Sequence, residues 1–225
     1  MSGQDLLDRF LSNSTPARVR RHWRAIVAGA ALALSSPVQA AAPRDWPCVQ
    51  AYVPGISEGT IWTGPEITPA LRRDWSKDPE LKRLVEQAAS RRSSVEDAAA
   101  AIRAFAERLP PDRRKQDLTK LFAGLLETID AERNAILEGI GRYAKRQEAL
   151  AKRIAERSGE LSRQPTGNDP AAQAIAAGLE EQIYWDSRVF EDRRRMLPYV
   201  CELPTVLEQR LFALGREIMA MLPPS

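Results

Sequence analysis

Between residues 112 and 163 apolar side chains return every seven residues: Phe122, Ile129, Ile136, Tyr143 and Leu150. Leu118, Leu125, Ile140 and Ile154 fill the other seam position, with some drift. Sustained sevens describe a helix whose apolar stripe follows a neighbouring helix, since 3.5 residues per turn keep that stripe facing one partner. A single helix of this length cannot bury its own stripe, so the pattern demands a second long helix.

The second helix follows a short break. QPTGNDP (164–170) carries Pro165 and Gly167, then Asp169 as an N-cap and Pro170 at the first helical position, a strong restart signal. Leu179, Ile183, Phe190 and Leu197 then recur at helical spacing. A turn this short predicts antiparallel neighbours. Folding the chain about the turn centre pairs Ile154 with Leu179, Leu150 with Ile183, Tyr143 with Phe190 and Ile136 with Leu197. Further along it pairs Leu125 with Leu207 and Phe122 with Leu211. The stretch LPYVCELP (197–204) holds two prolines, which predict a break there and a fifth helix over about 204–222. Gly139 and Gly141, inside the first long helix, predict a bend or a close approach by another backbone.

Two shorter helices precede the long ones. One covers about 79–91, with Asp78 as N-cap and Leu81, Leu84, Val85 and Ala88 as its stripe. The other covers about 94–108, opened by Ser94 with Asp97 three residues later, and carries Ala98, Ala101, Ile102, Phe105 and Leu109. Away from the turn the long helices widen their apolar faces, to Leu118, Leu121, Phe122, Leu125 and Leu126 on one and Val200, Leu203, Val206, Leu207, Leu211 and Phe212 on the other. A wide face needs more neighbours than a narrow seam. The predicted fold is all-α: a long, coiled-coil-like antiparallel hairpin over 76–225 with a small helical bundle at its base. Residues 41–75 hold five prolines, three glycines, Trp46, Tyr52, Trp62 and Trp75, and read as an extended Pro/Trp-rich arm laid on that body.

The first forty residues read as a secretory signal peptide. Arg18, Arg20, Arg21 and Arg24 precede the apolar run AIVAGAALAL (25–34), and Val38 and Ala40 are small enough for cleavage after Ala40. The run is shorter than the roughly 20 residues of a membrane span, so no stable anchor is expected after leader removal. The compartment is then the periplasm, with secretion outside the cell as the alternative.

Leader removal changes the charge. The chain has 33 Lys+Arg and 30 Asp+Glu; five of the basic and two of the acidic residues lie in the first forty, leaving 28 of each. A net charge of zero argues against a nucleic-acid partner. The single histidine, His22, also lies in the leader. The remainder has no imidazole for Ser–His or Cys–His nucleophile pairs or for His-containing zinc sites. No catalytic residue, cofactor or metal is assigned, although carboxylate-pair hydrolysis stays open because Asp and Glu are plentiful. Cys48 and Cys201 read as one disulfide stapling the arm to the second long helix.

The functional expectation is a non-enzymatic periplasmic protein that works through protein–protein contacts, as an adaptor, an assembly factor or a chaperone-like module. The alternative is a small-ligand-binding or sensory bundle with its pocket among Trp46, Trp62 and Trp185. Candidate partner contacts are Arg157, Glu160, Arg163 and Gln164 at the hairpin tip, and Tyr184 and Trp185 on the second long helix, residue types that dominate interface hot spots. Homodimerisation is left open. The repeated Leu-Thr-x-x-Gln signature of Spy-like periplasmic chaperones is absent, and no family is assigned.

Overall fold

A computed structural model describes residues 43 and 45–224. The signal-peptide reading of residues 1–40 lies outside them. Among the described residues the regular structure is entirely helical: α1 (Pro69–Asp74), α2 (Pro79–Ala89), α3 (Val95–Arg108), α4 (Pro111–Ser162) and α5 (Pro170–Ala220), with 3-10 turns at Glu58–Thr60 and Trp75–Lys77. The all-α class expected from the sequence is observed. No helix among these residues is long and apolar enough to cross a membrane.

The helix starts lie where the side chains can satisfy them. Asp78 accepts from the Glu80 and Leu81 amides at 2.9 and 3.2 Å. Ser94 accepts from the Asp97 amide at 3.0 Å and returns its hydroxyl to the Asp97 carboxylate at 2.7 Å. Asp169 accepts from the Ala171 amide at 3.0 Å. Each bond removes one amide that the first turn leaves unpaired. The stretch read as an extended arm is not extended throughout, because α1 begins there, capped by Thr68 and opened by Pro69. That is the same cap-plus-proline signal as at Asp78–Pro79 and Asp169–Pro170.

The expected break at LPYVCELP is absent. α5 runs unbroken through Pro198 and Pro204, so the fourth and fifth predicted helices are one helix of 51 residues. Each proline removes one backbone bond, at a cost of about 3 kcal/mol. The helix is carried across by what its faces touch: Cys201, Pro204, Leu207 and Leu211 are all buried, and Cys201 is covalently tied. Packing of this kind outweighs local propensity.

One core collects side chains from α2 (Leu81, Val85, Ala88), α3 (Ala98, Ile102, Phe105), α4 (Leu118 to Ile129) and α5 (Leu207, Leu211, Leu214, Ile218). Trp62 and Ile67 join it from the segment before α1. The Trp62 ring stacks on Phe122, with centroids 4.1 Å apart and planes 11° apart. Arg210 is buried beside this core and donates to the Ala88 carbonyl (2.8 Å), the Ser93 carbonyl (3.0 Å) and the Ser93 hydroxyl (3.0 Å). It therefore ties α5 to the α2–α3 turn, and burial pulls its guanidinium below its ordinary pKa. Toward the α4–α5 turn the buried side chains thin out to Leu137, Ile140, Leu150 and Ala172.

Contacts between α4 and α5 run in opposite chain directions. Gln147 donates to the Phe190 carbonyl at 3.1 Å, the Tyr143 hydroxyl donates to the Arg193 carbonyl, and Phe122 lies against Gly215. These partners sit three or four residues further along α5 than folding about the turn centre predicts. That is about one helical turn, so the same faces still meet. Two of the residues that the sequence placed on the wide apolar face, Val206 and Phe212, are exposed instead.

Glycine also needs a correction. Nothing lies within 4 Å of a Cβ built on Gly141, and only the end of Arg142 comes that near at Gly139. Neither marks a close approach. The close approaches are at Gly124, where a Cβ would fall 2.8 Å from Trp75 and Val85, and at Gly215, where it would fall 2.9 Å from Phe122. Gly141→Ala and Gly178→Ala should each raise stability by about 0.5–1 kcal/mol, because a helix interior favours alanine and both sites are open. Gly124→Ala should lower it. Urea unfolding of the three variants checks both signs.

Candidate interaction surface

The arm is held by three neighbouring residues on one face of α4. Asp130 accepts from the Ile56 amide at 2.8 Å, Arg133 donates to the Val53 carbonyl at 2.7 Å, and Asn134 accepts from the Gly55 amide at 3.3 Å. Spacings of three and four residues bring them together. Gly55 has φ +78°, a left-handed conformation in which glycine avoids the clash that a side chain would bring. Arg133 also binds Glu208 of α5 at 2.6 Å, so one buried guanidinium joins arm, α4 and α5. Cys48 and Cys201 form the expected disulfide, with Cα atoms 5.6 Å apart.

Between the arm and the long helices lies a half-open cavity of about 390 Å³, lined by Trp46, Ile56, Ile61, Arg133 and Leu137 among others. The three tryptophans that the sequence grouped around a pocket are separated. Trp46 lines this cavity, Trp62 is in the core at 6% exposure, and Trp185 faces outward on α5 at 54%. Among the described residues no cluster of three or more His, Cys, Asp or Glu side chains is placed to hold a metal ion.

At the tip, Glu160 and Arg163 are exposed and Gln164 is half-buried, and the Arg163 and Gln164 amides make the backbone bonds that close α4. Arg157 is different: it and Arg153 both clasp Asp186 of α5, Arg153 with two bonds of 2.7 and 2.8 Å. Asp186 thus ties the two long helices together. Further along α5, Arg195 pairs with Asp192 and Arg194 with Glu191, each three residues apart. The guanidinium bonds, Arg153's first, hold the Asp186 carboxyl below its usual range. A lowered folded pKa means stability that is present above the unfolded carboxyl value, about 3.9, and is lost as pH falls through the folded one. Chemical denaturation from pH 6 to pH 2 should show the wild type losing stability more steeply below pH 4 than Asp186→Asn.

Among the described residues most of the exposed large hydrophobic side chains lie on α5. Trp185, Val189, Met196, Tyr199 and Val206 are all exposed, Tyr199 at 70%. With Asp192 and the half-buried Leu203 they follow alternating steps of four and three residues, so they form one continuous stripe. The stripe sits one residue ahead of the seam that meets α4, hence about 100° around the helix from it. Tyr184 packs edge-on to Trp185, centroids 5.2 Å apart. Of the candidate contacts named from the sequence, the structure places Trp185 in this stripe with Tyr184 beside it, and leaves the tip residues apart from it. Val189, Met196 and Tyr199 escaped the sequence reading and Val206 was counted with the core-facing side chains, although the four-and-three spacing was the signal that marks them.

Comparison with protein-family models, with curated proteins and with solved structures gave no match.

Proposed function

We propose that this chain is a non-enzymatic helical protein of the periplasm that acts by protein contact, as an adaptor, assembly factor or chaperone-like module. In this reading the leader is removed after Ala40. The remainder is a coiled-coil-like hairpin rising from a small bundle, with the N-terminal arm stapled at Cys48. The observation that carries the proposal is the stripe Trp185–Val206 on α5. Large apolar side chains in a continuous exposed row are a feature of contact surfaces. The single disulfide suits an oxidising compartment. The contact is placed on the flank of the hairpin rather than at its tip.

The test is cross-linked capture from periplasm with tagged wild type, with Trp185→Glu/Met196→Glu/Tyr199→Glu, and with residues 157–172 removed. Loss of the cross-linked species in the triple variant alone supports the flank. Unchanged capture by the triple variant overturns the reading. A small-ligand-binding or sensory bundle is the second reading, and the cavity beside Arg133 is the observation in its favour. Thermal stabilisation by a small carboxylate, abolished in Trp46→Ala, would support that alternative.

A further inference from the structure

We propose, resting on the contact reading above, that the α5 stripe is covered by α5 of a second copy of this chain, running antiparallel, with the two-fold axis beside Met196. A stripe that repeats every 3.5 residues fits another helix, whose side chains enter the gaps between its knobs. The stripe is complementary to its own reverse. Pairing about Met196 sets Trp185 against Val206 and Val189 against Leu203, a large side chain facing a small one at the outer position. It sets Asp192, the one charged residue in the row, against Tyr199, whose hydroxyl can donate to it. A parallel pairing would instead set Asp192 against Asp192, and a charged residue within a helix seam selects orientation in this way.

The flanks agree. In an antiparallel two-fold pair the same flank of each helix meets the other copy's, which brings Arg188 opposite Glu202 on both sides of the axis. Both are exposed. Arg188 makes no ion pair among the described residues, and Glu202 accepts a neutral bond from Gln50 at 3.0 Å. Arg195 approaches its counterpart near the axis, where Asp192 at 3.7 Å offsets the repulsion. The exposed portions of the five apolar side chains amount to roughly 600 Å² per copy, and with the arginine stems the contact approaches the roughly 800 Å² per partner of a stable interface. Such a contact is isologous and closes at two copies. It would send the two α4–α5 turns to opposite ends of a rod, about 90 Å apart at 1.5 Å per residue.

Sedimentation of the mature chain at 1–100 µM (the range suits interfaces of about this size) should show a monomer–dimer equilibrium. Trp185→Glu and Met196→Glu should each raise the dissociation constant at least about tenfold. Far-UV circular dichroism should stay unchanged, because both residues are exposed in the single chain. Arg188→Glu and Glu202→Arg should each weaken the dimer, and the double reversal should restore it. Nitroxide labels at Gln182 should lie about 40 Å apart between copies, and labels at Arg194 about 20 Å apart. A monomer throughout the range, short distances at both sites, or no recovery in the double reversal overturns the proposal. A monomeric wild type whose captured partners still vanish in the triple variant would sink the second copy while leaving the contact role standing. A dimer that dissociates in the stripe variants while capture stays unchanged would do the reverse.

Discussion

Replacing Cys48 and Cys201 together by serine should lower the stability of the chain by up to about 5 kcal/mol. The bridge joins residues 153 positions apart, with the folded sulfurs already in bonding position. In the chain-entropy account a loop of that length removes about 5 kcal/mol of freedom from the unfolded state, and measured gains are often smaller. A loss of that size lowers the melting temperature of a chain of about this length by roughly 10–20 °C. The structure also says where the loss begins. Downstream of Cys48 the arm has other ties, at Asp130, Arg133 and Asn134, and Trp62 is seated in the core. Residues 46–52 should therefore loosen before 53–62 do. Melting followed by circular dichroism gives the total, and hydrogen exchange resolved along the arm gives the order. If the double serine variant melts within about 2 °C of the wild type, the arm's polar ties are what hold it, and the staple is redundant.

Phe122→Ala should cost about 3–5 kcal/mol, the range for deleting a buried aromatic ring. Phe122 is fully buried where three parts of the chain meet: its ring stacks on Trp62, and Gly215 of α5 passes so closely that a Cβ there would touch its edge at 2.9 Å. Removing the ring leaves a cavity and an unsupported indole, so the Trp62 emission should shift toward that of a solvated tryptophan. The contact with Gly215 makes a sharper test. In the wild type, Gly215→Ala forces Phe122 aside and should be destabilising. In the Phe122→Ala background the same substitution finds room and should recover about 1 kcal/mol through helix propensity alone. The two changes should therefore couple by at least about 1 kcal/mol in a double-mutant cycle. Additive effects would mean that Gly215 is not set by this ring.

The two cases show how differently the parts of the fold were legible. Caps at Asp78, Ser94 and Asp169 were read correctly because a cap is a local event, settled by a side chain and an amide two or three residues away. Cys48 and Cys201 were paired by elimination, since the chain has two cysteines. The close passage of Gly124 and Gly215 was not legible. A glycine in a helix looks the same in sequence whether it faces Trp75, Phe122 or open solvent, and the suspicion fell on Gly139 and Gly141 instead. The prolines misled for a related reason. Pro198 and Pro204 weaken the helix locally, but the cost is small beside the burial that holds α5 in place, and that burial involves residues far away in the chain.

The candidate surface was half legible. Tyr184 and Trp185 stood out by type. Val206 was assigned to the core, and Val189, Met196 and Tyr199 passed unremarked, because α5 carries two stripes of the same spacing, one residue apart. Periodicity states that a stripe exists and that a helix can hold it. Which of two adjacent stripes α4 covers depends on the rotation of one helix against the other. From sequence alone this chain declares its helical class, its helix starts and its covalent staple, because these rest on near-neighbour chemistry or on scarce residue types. The one-turn register, the unbroken α5 and the choice of which apolar row faces solvent emerged only in the tertiary structure, because each is decided by long-range packing that no local run of residues encodes.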